Sequence, residues 1–264
     1  MSQAVLTDID NRGVARVTLN RPDIHNAFDD ALIGELTAVF KGIAADSRVR
    51  AALLTGSGRS FSAGADLNWM KRMAGYSHEE NLADASALAA LMRVMNSLSV
   101  PLIGLVQGAA YGGGVGLVAC CDIAIGTERA AFCLSEVKLG LIPAVISPYV
   151  IAAIGERSAR RYFLTAEVID AAEALRIGLL HEVVADEAAL ADRGEMLIKA
   201  LLKNGPKSVS AAKELIAAVA GKPVDAGLIA DTAGRIAAQR ASDEGKEGVA
   251  AFLAKRKPDW MVNG

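Results

Sequence analysis

Cysteine and histidine are scarce in this chain, and their placement argues against a disulfide framework or a metal centre. Among the 264 residues there are three cysteines and three histidines. Cys120 and Cys121 are adjacent and poorly suited to bridging each other, and Cys133 lies in apolar company. The histidines are scattered, without an HExxH or Cys-x-x-Cys pattern beside them. We therefore expect buried free thiols rather than a disulfide, and no metal site.

Long apolar runs and an excess of charge of one sign are also lacking. No run approaches the roughly 20 residues that span a bilayer, and residues 1–10 show no basic segment followed by an apolar one. The formal net charge is −2. Such a balance gives no reason to expect nucleic acid or an anionic membrane as a partner. These absences predict a soluble, unexported protein of the cytoplasm.

Strand and helix patterns alternate through the first two thirds of the chain. Apolar residues at every second position from Ala15 to Leu19 predict a half-buried strand, and helical spacing follows over residues 29–45. Residues 49–54 and 101–106 read as buried strands, separated by a long helical stretch at about 79–98. This alternation predicts an α/β fold.

Beyond about residue 190 the strand patterns stop. The remainder reads as helices separated by turns such as Asn204-Gly205-Pro206 and Gly221-Lys222-Pro223. Its many alanines permit close helix packing, within the subunit or against a neighbour. We therefore divide the chain into a catalytic core, residues 1–195, and a C-terminal helical module, residues 196–264.

Two glycine-rich turns follow the predicted buried strands. They are Ala63-Gly64-Ala65-Asp66 and Gly112-Gly113-Gly114, and the second runs into an apolar stretch that predicts a helix. Without bulky side chains, the backbone N–H groups of such turns can approach a ligand oxygen closely. Two N–H groups converging on one oxygen would form an oxyanion hole. Ordinary turn formation is the alternative interpretation.

One carboxylate, Glu136, stands in an apolar stretch after the second turn. It follows Phe132-Cys133-Leu134 and precedes Val137, Leu139, Leu141 and Ile142. Apolar surroundings disfavour ionisation and should raise its pKa towards the range useful for proton transfer. The alternative is a surface glutamate or one held in an ion pair.

Five motifs in order resemble the enoyl-CoA hydratase/isomerase (crotonase) superfamily. They are Arg21-Pro22 with Asn26-Ala27, FSAGADL at 61–67, QGAAYGGG at 107–114, CDIAI at 121–125 and SEVKLGLIP at 135–143. The resemblance covers essentially the whole chain, and the flanking segments look most like bacterial 3-methylglutaconyl-CoA and isohexenylglutaconyl-CoA hydratases. It implies a spiral of ββα units, C-terminal helices that build trimers or dimers of trimers, and an acyl-CoA thioester as substrate with no separate cofactor.

The resemblance also implies roles for individual residues. The backbone N–H groups of Ala65 and Gly113 would hold the thioester oxygen, and Glu136 matches the second catalytic glutamate of family hydratases. The residues that would line the CoA path are Arg21, His25, Ala27, Ala63, Asp66, Leu67 and, from a neighbouring subunit, Phe252 and Lys255. The candidates for the acyl pocket are Trp69, Met70, Met73, Tyr111, Leu134 and Ile142. For Arg21 and Lys255 a solvated surface cation, and for each pocket candidate simple core packing, is the competing interpretation.

The chain departs from the family pattern at Gly116. Many family hydratases carry their first glutamate three residues after the position of Gly113, where this chain has glycine. Gln107, Cys120 and Cys121 cannot replace it, and Asp122 looks structural. Two reactions remain open: hydration with Glu136 as the only acid–base group, which the flanking sequence favours, and Δ3–Δ2 enoyl-CoA isomerisation through a single proton shuttle.

Two alternatives from other classes complete the set of hypotheses. A mammalian methylglutaconyl-CoA hydratase that resembles this chain also binds RNA, which requires a Lys-rich helix. Here the predicted first helix carries Asp29, Asp30 and Glu35 against Lys41. A catalytically inactive family member is the other alternative, and the presence of Glu136 beside both glycine turns argues against it.

Overall fold

The computed structural model describes residues 3–261 as two parallel-rich sheets wrapped by helices. The strands are β1 Val5–Ile9, β2 Val14–Leu19, β3 Ala51–Gly56, β4 Ser60–Ser62, β5 Leu102–Val106, β6 Ala109–Tyr111, β7 Ile123–Thr127, β8 Ala131–Cys133, β9 Ile169–Asp170 and β10 Glu182–Val184. The helices are α1 Asp30–Ala45, α2 Leu67–Met73, α3 His78–Asn96, α4 Gly113–Ala119, α5 Ser147–Thr165, α6 Ala171–Ile177, α7 Glu187–Leu202, α8 Pro206–Val219, α9 Ala226–Ala241 and α10 Asp243–Leu253. Gly155 interrupts α5 with a non-helical φ of 73°.

The two sheets are built by a repeated unit. The larger sheet has the order β1-β2-β3-β5-β7-β10 and the smaller one β4-β6-β8-β9. Strands β3, β5 and β7 each lie in the larger sheet, and the strand that follows each of them, β4, β6 or β8, lies in the smaller sheet before the chain turns into helix. The predicted α/β spiral of ββα units is confirmed.

The residue pattern did not show the second strands of the first two units, although the resemblance implied such strands. We predicted that residues 49–54 and 101–106 lead directly into the glycine turns, but β4 and β6 intervene, each with three residues. Three residues are too few to show an alternating pattern. The chain passes between sheets so closely that a β-carbon on Gly108 would overlap the carbonyl of Arg59.

Helix caps follow the sequence. The side chain of Asp29 accepts the N–H of Leu32 at the start of α1, at 2.8 Å. The expected helix over residues 29–45 therefore begins one residue later, with Asp29 as its cap. Ser77 and Glu80 form a capping box at the start of α3.

The C-terminal part divides differently from the sequence-based boundary at residue 195. Helix α7 spans that boundary, and Leu190 and Ile198 on either side of it are both buried against the larger sheet. Helices α8 and α9 have no buried residue. The sheet-packed part thus continues to the end of α7, and the remaining helices form the outlying module.

Two expectations from composition can be compared with this fold. Cys120, Cys121 and Cys133 are free and buried, and burial raises the pKa of each thiol, so the expected free thiols are confirmed. Between residues 3 and 261, no helix combines the length and apolar character that crossing a bilayer requires.

Candidate active site

The first glycine turn is held open by a backbone bridge to the segment before α1. The N–H of Phe28 donates to the carbonyl of Gly64 at 2.7 Å, and the N–H of Asp66 donates to the carbonyl of Phe28 at 2.6 Å. Gly64 has a φ of +90°, which favours glycine. Within residues 3–261, the N–H of Ala65 between these bonds has no acceptor. It is therefore free to bind a ligand.

The second glycine turn starts α4. Gly112 has φ +49° and ψ −121°, and its N–H donates to the carbonyl of Cys133 at 2.9 Å. Gly113 is the first helical residue, and its N–H has no acceptor in the described part of the chain. A second unpaired N–H thus lies at the positive end of α4.

The two turns lie against each other without room for side chains. A β-carbon on Gly64 would stand 3.1 Å from the carbonyl oxygen of Tyr111, and one on Gly112 would stand 4.0 Å from the α-carbon of Gly64. The structure therefore brings the unpaired N–H groups of Ala65 and Gly113 into one region. Two such donors suit an oxygen that gains negative charge.

Glu136 lies against the second turn. It follows β8 and opens a short 3-10 helix, Glu136–Leu139. Its Oε1 stands 3.3 Å from the position that a β-carbon on Gly112 would take, while its buried Oε2 has no hydrogen-bond partner among the described residues. Burial raises the pKa of this carboxyl. An unpartnered oxygen with a raised pKa can take and return a proton.

The apolar setting expected around Glu136 is found on one side of it along the chain only. Phe132, Cys133 and Leu134 before it are buried, whereas Leu139, Leu141 and Ile142 after it are exposed, Ile142 by 73%. A 3-10 helix followed by a loop turns these side chains away from the carboxylate. The close glycine turn brings backbone near the carboxyl group instead.

The space at Gly116 is filled by apolar side chains. A β-carbon on Gly116 would overlap Cγ2 of Ile146, and would lie 2.9 Å from Cβ of Ile146 and 3.2 Å from Sδ of Met92. Sequence reasoning missed both side chains because Ile146 is 30 residues and Met92 24 residues away along the chain. The position therefore holds no polar group.

Two polar residues weighed as replacements for a glutamate at position 116 have structural partners. Asp122 accepts the N–H of Leu102 at 2.7 Å and pairs with Lys213 at 2.6 Å, which confirms its expected structural role. The side-chain amide of Gln107 donates to three backbone carbonyls, those of Gly56, Gly58 and Ser60. These bonds hold both side chains in place, although Oε1 of Gln107 is buried without a partner among the described residues.

The candidate CoA residues of the N-terminal half mostly serve the local backbone. The guanidinium of Arg21 donates to the carbonyl of Ala27 at 3.1 Å and pairs with Asp29 at 2.8 Å. The N–H of Ala63 donates to the carbonyl of His25 at 2.9 Å. These contacts hold the segment before α1 beside the first turn.

Other candidates for the CoA path lie at the start of α2 and around His25. Asp66 caps α2 by accepting the N–H groups of Asn68 and Trp69. His25 Nδ1 lies 3.1 Å from Oγ of Ser60, and Leu67 is 73% exposed. Leu67 thus presents an apolar surface beside the first turn.

The acyl-pocket candidates divide into buried and exposed residues. Leu134 is fully buried, and Trp69 is buried with its Nε1–H donating to Asp84 at 3.1 Å. Met73 and Tyr111 are half-buried, whereas Ile142 is exposed. Leu134 and Trp69 thus serve the core.

Phe252 and Lys255 lie on the C-terminal module, away from these contacts. Helix α10 packs on α8 and α9, and Phe252 is 81% exposed. Across the described residues, no hydrogen bond joins either residue to Glu136 or to the two turns. Contacts within a single chain therefore do not connect Phe252 or Lys255 to the site.

Comparisons with known proteins identify the family of this chain. Residues 10–263 match the model of the family described as "Enoyl-CoA hydratase/isomerase". A solved enoyl-CoA hydratase from Shewanella pealeana is 46% identical with a TM-score of 0.94, covering 98% of this chain and 96% of that one. The 2,3-dehydroadipyl-CoA hydratase of Escherichia coli is 32% identical over 250 residues, 94% of each chain.

An isomerase is also among the relatives. The mitochondrial Delta(3,5)-Delta(2,4)-dienoyl-CoA isomerase of Dictyostelium discoideum is 31% identical over 267 residues, 96% of this chain and 89% of that protein. Both hydratase and isomerase names therefore occur at similar identity. With a family match over nearly its whole length and the crotonase architecture, the chain belongs to the enoyl-CoA hydratase/isomerase family.

Proposed function

We propose that this protein hydrates an α,β-unsaturated acyl-CoA thioester, with Glu136 as its single acid–base group. The observation that carries the proposal is the buried, unpartnered Oε2 of Glu136, whose carboxyl group lies against the turn that begins α4. The unpaired N–H groups of Ala65 and Gly113 supply donors in the same region. The site thus combines a proton carrier with a place for an oxyanion.

The reaction follows from these groups. The N–H groups of Ala65 and Gly113 hold the thioester carbonyl oxygen, which becomes negative as water adds to C3. Each such donor lowers the barrier by about 3–4 kcal/mol. Glu136 accepts a proton from the attacking water and delivers a proton to C2, so that the carboxylate is regenerated. CoA arrives as part of the substrate.

The substrate we propose is a branched acyl chain with a terminal carboxylate, similar to 3-methylglutaconyl-CoA. The name of the Escherichia coli relative describes a dehydroadipyl thioester, which also ends in a carboxylate. A terminal carboxylate needs a cation or a hydrogen-bond donor, and the candidates are Lys71, Arg72 and Lys138. Arg72 is paired with Asp30 at 2.6 Å. Lys71 and Lys138 have no ion pair within residues 3–261, and Lys138 is exposed two residues after Glu136. Lys138 is therefore the residue that we propose to bind the terminal carboxylate of the substrate.

The binding path for CoA and the assembly belong to the same proposal. We place the adenine and pantetheine along the backbones of Ala27 and Ala63, with Phe252 and Lys255 contributed by a neighbouring subunit. Support comes from the C-terminal helices, which expose large apolar side chains such as Ile216 and Phe252. Such surface fits burial between subunits of a trimer or of a dimer of trimers.

Isomerisation of a 3-enoyl-CoA to a 2-enoyl-CoA is the second candidate. Ile146 and Met92 fill the space at Gly116, so no second polar group stands there to orient water. A single carboxylate can remove a proton from C2 and return it to C4 without water taking part. The dienoyl-CoA isomerase among the relatives is consistent with this chemistry.

A substrate panel separates the two candidates. Purified protein is given 3-methylglutaconyl-CoA, crotonyl-CoA and a 3-enoyl-CoA, and products are identified by mass and chromatography. Hydration of 3-methylglutaconyl-CoA at a higher kcat/KM than crotonyl-CoA supports the proposal. If the protein isomerises the 3-enoyl-CoA and forms no hydrated product from any substrate, isomerisation replaces hydration as its function. A Lys138→Gln variant that keeps the preference for the carboxylated chain removes Lys138 from its recognition.

A further inference from the structure

Position 116 lies in the first turn of α4, close to the backbone N–H of Gly113. Gly116 is one helical turn after Gly113 and is buried. Side chains on a helix tilt towards its N-terminus, so a side chain at 116 would extend towards the turn at residues 112–113. Oε1 of Glu136 lies against that same turn. A carboxylate at position 116 would thus have Glu136 as a neighbour.

Ile146 takes up the space that such a side chain would need. A β-carbon at 116 would overlap its Cγ2 and would lie 2.9 Å from its Cβ. Ile146 is 2% exposed, and its carbonyl accepts the N–H groups of Tyr149 and Val150, both at 3.1 Å, in the first turn of α5. Because the backbone is held in this way, Cβ of Ile146 cannot withdraw. The third neighbour, Sδ of Met92, belongs to a flexible side chain that can adapt.

We infer that Ile146 restricts position 116 to glycine and in this way keeps proton transfer confined to Glu136. This inference rests on the proposed function. Addition of water requires removal of one proton from water and addition of one proton to C2. With one carboxylate the two transfers must use the same group, whereas two carboxylates can share them. The residue packed at 116 therefore sets how well the site can activate water.

The contacts specify which substitution opens the position. Alanine at 146 would keep the β-carbon that lies 2.9 Å from the new side chain, so it would not suffice. Glycine at 146 removes both overlapping atoms. We expect Gly116→Glu to be tolerated only together with Ile146→Gly.

Four variants test the inference: Gly116→Glu, Ile146→Gly, the double variant Gly116→Glu/Ile146→Gly, and the matched control Gly116→Gln/Ile146→Gly. Thermal unfolding and the rate of crotonyl-CoA hydration are measured for each. We expect Gly116→Glu alone to lower Tm by more than 5 °C and the addition of Ile146→Gly to recover part of that loss. The Glu/Gly double variant should hydrate at least tenfold faster than the Gln/Gly control, which has the same size but no carboxylate.

Three results would overturn the inference. They are a Gly116→Glu variant as stable as the wild type, a Glu/Gly variant that fails to fold although Ile146→Gly alone folds, and equal hydration rates for the folded Glu/Gly and Gln/Gly variants. An unfolded double variant beside a folded Ile146→Gly variant would mean that something other than Ile146 bars position 116. Failure of the proposed function would be recognised separately, in the comparison of wild type with Glu136→Gln, which alters neither position. A Tm cycle of Gly116→Ala with Ile146→Gly tests the steric contact without reference to activity, and additive effects would contradict it.

Discussion

Oε1 of Glu136 stands 3.3 Å from the point where a β-carbon on Gly112 would lie. The same glycine has a φ of +49°, a region that side-chain-bearing residues rarely adopt. Glycine is therefore required at position 112 for two reasons: its positive φ, and the lack of space for a side chain beside the carboxyl group of Glu136. The proton carrier and the start of α4 cannot be changed independently.

Replacing Gly112 by alanine should harm both stability and activity. The backbone strain costs about 1–3 kcal/mol, and the new methyl group displaces the Glu136 carboxyl. Thermal unfolding and kcat/KM with crotonyl-CoA measure the two effects. For comparison, a β-carbon on Gly113 would meet only the ring of Phe28, at an ordinary 3.4 Å. The prediction fails if Gly112→Ala unfolds at the same temperature as Gly113→Ala.

Valine at position 113 should reduce activity through geometry. A β-carbon at position 113 would already lie 3.4 Å from the Phe28 ring. The two methyl groups of valine should therefore press on that ring and shift the backbone N–H that faces the thioester oxygen. Loss of one such donor lowers kcat by about 10²–10³-fold. Steady-state kinetics of Gly113→Val and Gly113→Ala give the measurement. Equal kcat values for the two variants would remove Gly113 from the oxyanion hole.

The raised pKa of Glu136 predicts how stability depends on pH. Because burial makes the folded state hold this proton more tightly, stability falls as pH rises from the ordinary value of 4.5 through the higher folded pKa, and stays reduced above it. Glutamine does not ionise. Glu136→Gln should therefore unfold at a higher temperature than the wild type at pH 7, with the difference shrinking towards pH 4.

An exposed glutamate provides the control for that experiment. Glu128 is exposed and has no side-chain hydrogen bond among the described residues, so Glu128→Gln is the matched control for removing a carboxylate. If the difference in Tm between wild type and Glu136→Gln were constant from pH 4 to pH 7, burial would not shift the pKa of the Glu136 carboxyl group.

The ion pair between Asp122 and Lys213 should tie the C-terminal module to the core. Lys213 on α8 lies 2.6 Å from Asp122, whose same oxygen accepts the N–H of Leu102 at the start of β5. Because both side chains are only partly exposed, we expect Lys213→Met to cost about 1–2 kcal/mol. A double-mutant cycle with Asp122→Asn, followed by thermal unfolding, isolates the pair. Strictly additive losses would show that the pair contributes nothing.

Local signals in the sequence were sufficient for several elements. The Asp29 cap depends on a neighbour three residues away, and the two glycine turns depend on their own backbones, so each leaves a pattern in a short window. Glu136 was found from its position in the motif, although the apolar residues that follow it in the chain are exposed. The structural role of Asp122 was also correctly anticipated.

Contacts between distant segments could not be predicted in this way. Nothing in the composition around residue 146 shows that Ile146 meets Gly116, because that contact depends on how α5 packs on α4. The strands β4 and β6 are too short for a periodic pattern. Helix α7 belongs to the sheet-packed part because Leu190 and Ile198 contact the larger sheet. The point at which strand patterns stop in the sequence does not show this contact.

The central claim is that Glu136 alone transfers protons in this site. The most direct test is the single-turnover rate of hydration of 3-methylglutaconyl-CoA by wild type and Glu136→Gln, with circular dichroism to show that both are folded. A positioned acid–base group contributes about 10²–10⁴-fold, so the account predicts that the variant is slower by at least 100-fold. A folded Glu136→Gln variant that hydrates within twofold of the wild-type rate would contradict it.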